Sequence, residues 1–335
     1  MYNSIITGTG YYVPENIVTN DDLSKLMDTS DAWIQERTGI QQRHFATRGK
    51  DTTTSMGVRA AQMAMEKAKI NKEDIDFLIF ATLSPDYYFP GCGVLAQKEL
   101  GLHTVGALDI RNQCSGFIYA LSVADQFIKT GMYKNVLVIA SEMQSPALDL
   151  TTRGRNMAVL FGDGAGAAVL SRSEDNGKGI LSSHLHSEGA HAEELAILTP
   201  GVGKKWVTDL LKENDPEDTS YFPYMNGQFV FKNAVVRFSE VIIEGLKANK
   251  LTESDINLFI PHQANLRISQ FIQQKFNLPD AKVFNNIQKY GNTTAASIAI
   301  ALAEAVEQDR IKENDIILLA AFGSGFTWGS VVIKW

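Results

Sequence analysis

The feature that most restricts what this chain can fold into is that it repeats itself. Residues 70–79 read INKEDIDFLI and residues 251–260 read LTESDINLFI. Each has a polar turn, an Asp-Ile pair and then an apolar run short enough for a buried strand. A second echo joins FGDGAGAAVL, 161–170, to FGSGFTWGSVVI, 322–333. The third pairs the helical stretch after Cys114 with the one after Asn292. Both lead through a short turn into an apolar strand, VLVIA at 136–140 and IILLA at 316–320. The echoes come in one order, so an α/β chain of two similar halves is expected, 1–171 and 172–335, around a pseudo-twofold axis. The first pair is offset further than the second, which predicts extra residues in the first half, at Ser141 to Leu160.

Strands such as FLIFA, VLVIA, LFI and IILLA are apolar throughout, as strands covered by helices on both faces must be. The helix predicted over Ser115 to Thr130 is apolar nearly all round, so it belongs in the centre, and Gly131 supplies its stop. Between Ala196 and Tyr224 the pattern dissolves into Gly, Pro and charge. An insertion near 196–224 is expected there, either a flap over a site or a solvated loop.

A chain of 335 residues with 44% hydrophobic and 21% charged residues can bury a large core. Its formal charge of -7 argues against non-specific nucleic-acid binding. No apolar run is long enough to cross a bilayer, and Met1 to Gly10 do not read as a secretory signal. The two cysteines, Cys92 and Cys114, fit a reducing cytoplasm better than a disulfide framework.

Cys114 follows a strand-like run and opens the central helix, where free N–H groups and the helix dipole favour thiolate. A packed structural cysteine is the alternative. His262, in FIPHQANLR, stands where an apolar strand ends; a structural histidine reads the same way. Asn292, in YGNTTAASIAIAL, precedes a helix and could be only its N-cap. Symmetry links the three, because the Cys114 and Asn292 helices are repeat counterparts whose N-termini should converge. GTG at 8–10 and GDGAG at 162–166 open no helix, so dinucleotide binding is not expected. His184, His186 and His191, with Glu188 alone nearby, are not read as a metal site.

Six motifs taken together resemble the β-ketoacyl-acyl-carrier-protein synthase III family of the thiolase-like superfamily. They are TSDAWIQERTGIQQRH, CSGFIYALSVADQFI, FGDGAGAAVL, IPHQANLRI, YGNTTAASIA and FGSGFTWGS, in the family's order and nearly end to end. The resemblance implies a layered αβαβα body and an enzyme that condenses an acyl-CoA with malonyl-acyl-carrier protein through an acyl-Cys114 intermediate. It implies His262 and Asn292 as donors to the enolate oxygen, and the backbone N–H groups of Cys114 and Ser324 as an oxyanion hole. Trp33, Arg37, Thr38 and Arg153 would grip the CoA nucleotide, and Asn265 the pantetheine arm. Lys232 and Arg267 would dock the acidic carrier protein. Phe89 would cross the interface of a homodimer to shape the partner's acyl pocket, with Met225 and Phe322 lining the local one. No cofactor beyond the CoA thioester substrate is implied.

Other activities remain to be weighed. A thiolase needs a second cysteine near the C-terminus, and none follows Cys114. Hydroxymethylglutaryl-CoA synthases need a first-half Glu, which does not stand out in these motifs; plant-type polyketide synthases are longer. Gln113 and Ser324, where the family often has a small residue and Gly, and the insertion keep open a specialised relative with an unusual acyl substrate. A cysteine thioester hydrolase and a non-catalytic scaffold are the remaining classes.

Overall fold

The chain was analysed as a computed structural model, which describes residues 2–175, 177–199 and 218–335. Its strands are β1 (Asn3–Tyr12), β2 (Asn16–Thr19), β3 (Gln42–Phe45), β4 (Phe77–Ala81), β5 (Gly106–Ile110), β6 (Asn135–Glu142) and β7 (Gly164–Ser173). They continue with β8 (Gly179–Ser187), β9 (Leu195–Ala196), β10 (Tyr224–Met225), β11 (Leu258–Pro261), β12 (Ile316–Gly323) and β13 (Thr327–Lys334).

Two sheets dominate. One runs β1-β7-β6-β4-β5 and the other β8-β13-β12-β11. Directions match along both: antiparallel for β1–β7 and β8–β13, antiparallel again for β7–β6 and β13–β12, then parallel for β6–β4 and β12–β11. Even the parallel neighbour β5 has a remnant in the second sheet, where Val283 bridges Phe259 beside β11. The strands named as echoes, β4 with β11, β6 with β12 and β7 with β13, therefore hold equivalent places.

Between the sheets lie the helices Gly116–Lys129 and Ala296–Glu307. One core joins them, uniting Phe117, Leu121 and Ile298 with Val138 of the first sheet and Leu319 of the second. Outside the first sheet, Thr53–Ala68 and Cys92–Leu100 cover Leu78, Phe80 and Ile139. Outside the second, Gly227–Ala248 and Leu266–Lys275 cover Phe259, Leu318 and Val332. The result is five layers, αβαβα, with continuous apolar strands between helices as the pattern required.

Three local expectations need correction. Ser141 and Glu142 still belong to β6, so the extra first-half segment begins at Met143. The strand ladder holds both residues in register with Ala165 and Gly164 of β7. The central helix starts at Gly116 rather than Ser115. Cys114 sits instead in a 3-10 turn, Gln113–Ser115, entered through a left-handed Gln113 with φ +42°. Of the expected 196–224 insertion, residues 200–217 lie outside the described residues. Its two ends are tied by the antiparallel pair β9–β10.

Candidate active site

The ends of the two central helices and of β11 and β12 meet around one cavity of about 750 Å3. Cys114, His262 and Asn292 all line it, with Met225, Asn265, Phe322 and Ser324. Each member of the trio is nearly sealed from solvent, at 7%, 3% and 6% exposure respectively. The apolar wall includes Phe161, Leu195, Val230, Phe231 and Ile268.

Cys114 lies against the end of β12 so closely that Gly323 has no room for a side chain. A Cβ there would stand 2.6 Å from Cys114 Cβ and 3.0 Å from its Sγ. The backbone N–H groups of Ser324 and of Cys114 itself donate to the sulfur, which pulls the thiol pKa down. Burial outweighs them and, with the negative Glu142 nearby, pushes the thiol up to about 12. The resting sulfur is therefore a protonated thiol, contrary to the thiolate expected from its helix position. Position supplied the donors, but depth in the protein removed the water that a bare thiolate would need.

His262 ends β11, where its backbone N–H donates to Ala320 O at 2.8 Å. Burial depresses its imidazole to about pKa 3, so the ring is neutral. Nδ1 lies 2.6 Å from Ser297 Oγ. That hydroxyl oxygen also accepts from Gln263 N at 3.3 Å, and its O–H is free to donate to Nδ1 in the tautomer that carries the ring hydrogen on Nε2. In that tautomer Nε2, which is buried and meets no partner among the described residues, presents an N–H to the cavity. Asn292 is held through its backbone, accepting from Gly162 N at 3.1 Å and donating to Leu160 O at 2.8 Å. Its side-chain oxygen accepts from Thr294 N at 2.8 Å, which leaves the NH2 group without a partner among the described residues. Two neutral side chains able to present N–H donors thus stand at a cavity that also holds a thiol.

Both sides of the site carry a strained residue. Gln113 at φ +42° precedes the cysteine, and the β-branched Thr294 at φ +46° follows the asparagine. Conformations of this kind cost about 1–3 kcal/mol each and persist only where the surroundings enforce them. Glu142, which sequence reasoning passed over, braces this junction. It is fully buried and accepts from Ser84 Oγ at 2.7 Å, Thr82 Oγ1 at 3.1 Å, Leu83 N at 3.2 Å and Gln144 Nε2 at 3.3 Å. A longer contact from Ala295 N, 3.4 Å, reaches the start of the second central helix. The available signal was a carboxylate closing the apolar strand VLVIASE. Ser297 had no comparable signal, since its hydroxyl has a purpose only where the helix passes His262.

Burial pushes Glu142 up to about pKa 7, and its anion opposes ionisation of Cys114. Below pH 7 the carboxyl is protonated and leaves the thiol unaffected; above it, the anion raises the thiol pKa. Iodoacetamide alkylation of Cys114 is therefore expected to climb less than about tenfold per pH unit between about pH 6 and 8. Glu142→Gln should climb about tenfold per unit and outrun the parent several-fold at about pH 8. Parallel profiles would show that the two groups do not sense one another.

The remaining expected site residues lie outside the cavity lining. Trp33 is half-buried, with the Arg37 guanidinium 4.4 Å and that of Arg155 5.3 Å from its ring centroid. Asn265 links this corner to the cavity: its Nδ2 donates to Arg37 O at 3.0 Å, while its Oδ1 caps the helix that carries Arg267. Thr38 is buried, and its hydroxyl is engaged by Ile34 O and Ile40 N. Arg153 pairs with Asp149 at 2.6 Å. Lys232 and Arg267 are exposed, and Phe89 is 81% exposed beside Tyr87 and Tyr88. Glu188 pairs with Arg237, while Glu244 takes His184 and His186. Among the described residues no group of three His, Cys, Asp or Glu side chains could hold a metal ion.

Two family models match the chain. That of 3-oxoacyl-(acyl-carrier-protein) synthase III covers residues 108–189, and that of its C-terminal part covers 246–335. A β-ketoacyl-(acyl-carrier-protein) synthase III of Caldanaerobacter subterraneus is 46% identical over 98% of this chain and 97% of its own. The solved 3-oxoacyl-(acyl-carrier-protein) synthase III of Aquifex aeolicus is 44% identical, with a TM-score of 0.90 over 99% of this chain and all of that one. A priming β-ketosynthase from the R1128 polyketide pathway is 31% identical, with a TM-score of 0.89 over 99% of this chain and 96% of its own.

Proposed function

This chain belongs to the 3-oxoacyl-(acyl-carrier-protein) synthase III family of condensing acyltransferases that initiate fatty-acid synthesis, and on that footing we propose how its own residues carry the reaction. The Cys114 sulfur attacks the carbonyl carbon of an acyl-CoA. The bond to the CoA sulfur breaks, and the thiol proton leaves with CoA. The oxyanion formed on the way takes the N–H groups of Cys114 and Ser324, both of which already converge on the sulfur. Ser324 keeps its backbone donor, while its hydroxyl is turned aside to Leu195 O.

Malonyl-acyl-carrier protein then loses its carboxylate as carbon dioxide. The electron pair moves to the thioester oxygen as an enolate, received by His262 Nε2–H and the Asn292 amide. Enolate carbon attacks the acyl-cysteine carbonyl, the carbon–sulfur bond breaks with its electron pair going to sulfur, and the sulfur takes up a proton from solvent. The observation that carries this reading is the unpartnered Nε2 of a neutral histidine in the cavity that holds the thiol. A hydrolase would need that imidazole as a base, and a ring depressed to about pKa 3 is a poor one.

Trp33, Arg37 and Arg153 serve the CoA nucleotide in this reading, and Asn265 the pantetheine arm. Lys232 and Arg267 receive the acidic carrier. The exposed Tyr87, Tyr88 and Phe89 form the patch by which two chains pair. In this reading each of the halves 1–171 and 172–335 carries one sheet, with Arg172 and Ser173 extending β7 of the first sheet past that boundary, and the enzyme works in the cytoplasm. Among the described residues no helix is long and apolar enough to cross a membrane.

Intact-mass analysis gives the test. Incubation with an acyl-CoA should add one acyl group at Cys114, and malonyl-acyl-carrier protein should then remove it as a 3-oxoacyl product. Release of free acid without any carbon–carbon product would mean a hydrolase instead.

A further inference from the structure

One oxyanion donor of the proposed reaction belongs to a residue whose side chain is engaged elsewhere. Ser324 lines the cavity, and its backbone N–H donates to the Cys114 sulfur. Gly325 follows at φ +131°, a conformation open to glycine and strained for any other residue. A peptide beside so permissive a residue takes its direction from contacts rather than from its own torsional limits. Ser324 has three. Its N–H meets the sulfur. Its carbonyl accepts from Thr327 Oγ1 at 3.0 Å, and that hydroxyl lies 2.7 Å from Ser115 Oγ. Both of these lead back to the nucleophile's own turn, Gln113–Ser115, and shift with it. The third is the Ser324 hydroxyl, which donates to Leu195 O on a separate segment, β9.

Leu195 is a firm post for that bond. It pairs with Met225 of β10, and Asn226 N donates to the carbonyl of the preceding Glu194 at 2.9 Å. The side chains of Leu195 and Met225 each pack against two cores, one holding Phe238, Phe322 and Phe326 and the other Leu148, Phe161 and Ile287. Both residues also line the cavity. Packing alone gives no reason for a hydroxyl here, because alanine fills the same space less one atom. What the bond supplies is direction. It fixes the Cα–Cβ vector of Ser324 against a rigid wall, and the N–H on the same Cα is fixed with it.

We propose that the Ser324 hydroxyl is a positioning group for the reaction: by anchoring residue 324 to Leu195 of the cavity wall, it aims the Ser324 N–H at the oxyanion formed on the acyl carbonyl. The inference rests on the acyl-Cys114 reading above, which gives Ser324 a backbone function only. The hydroxyl serves two moments, when Cys114 sulfur adds to the CoA thioester and when the enolate carbon adds to the acyl-cysteine. Decarboxylation places its charge on His262 and Asn292 and does not call on Ser324.

Ser324→Ala removes the hydroxyl and keeps the N–H, so the test asks which steps it slows. Acylation of Cys114 is followed by rapid quench and intact mass, with whichever of acetyl-, butanoyl- and 2-methylpropanoyl-CoA loads the parent fastest. The saturated acylation rate should fall about tenfold, short of the roughly 10^2 to 10^3 that outright loss of a donor costs. KM for the acyl-CoA should stay within about twofold, because the bond acts on the transition state and not on thioester binding. Carbon dioxide release from malonyl-acyl-carrier protein, compared between Cys114→Ala and Cys114→Ala/Ser324→Ala, should differ by less than about twofold. Acylation of Ser324→Ala at the parent rate overturns the proposal. So does an equal fall in acylation and carbon dioxide release, which would mean that the cavity has merely loosened. A parent enzyme that takes up no acyl group from any of these thioesters would remove the acyl-Cys114 reading itself, whereas a parent that loads normally beside an unimpaired Ser324→Ala removes only the role of the hydroxyl.

Discussion

Cys114→Ala is expected to take up no acyl group from any acyl-CoA and to lose condensation by a factor on the order of 10^4 or more, as nucleophile deletions do. The cause is local. No second thiol can substitute, because the other cysteine, Cys92, is buried in a different core, between the first sheet and its outer helices. Folding should survive, since alanine removes one atom and adds none against Gly323, which has no room for a side chain beside Cys114. His262 and Asn292 keep their anchors on Ser297, Leu160 and Gly162 in this variant. Slow release of carbon dioxide from malonyl-acyl-carrier protein is therefore expected to persist without any condensed product. Acylation of the Cys114→Ala variant at another residue, seen by peptide mass mapping, would remove the nucleophile assignment.

Asn292→Asp should have the second largest effect, and a different signature. Acyl transfer to Cys114 is expected at close to the parent rate, because its oxyanion relies on backbone donors. Condensation should fall by about 10^2 to 10^3, the usual consequence of losing one preorganised donor to a developing anion. Aspartate keeps the oxygen that accepts from Thr294 N, so the turn is preserved. What changes is the group facing the cavity, from N–H to a negatively charged oxygen beside the forming enolate. Burst acylation with radiolabelled acyl-CoA, followed by single-turnover condensation, separates the two steps. Parent-rate condensation by this variant would mean that the enolate lies elsewhere.

The sequence was informative wherever a property repeats along the chain. Strands such as VLVIA and IILLA announced both themselves and their equivalence, because a strand covered on both faces can hardly be anything but apolar. The six motifs likewise marked Cys114, His262 and Asn292 without any help from coordinates. Legibility failed where an energy depends on neighbours distant in sequence. The helix start at Cys114 promised a low thiol pKa, yet depth and Glu142, a residue on another strand, reversed the direction. The hydroxyl of Thr38 is engaged within its own turn, an arrangement that no motif announces. Ser297 and Glu142 could not be singled out at all. Their importance lies in one hydrogen bond to an imidazole and in a set of donors gathered from Thr82 to Ala295.

What the sequence by itself determined is the architecture and the family, and it named the candidate reactive atoms. Local hydrophobic periodicity and an internal repeat are written residue by residue and do not depend on partners. What only the tertiary structure decided is the state of those atoms: a thiol kept protonated and an imidazole kept neutral by burial. Desolvation and electrostatics are sums over everything within several ångströms, and in this protein that neighbourhood is drawn from both sheets at once.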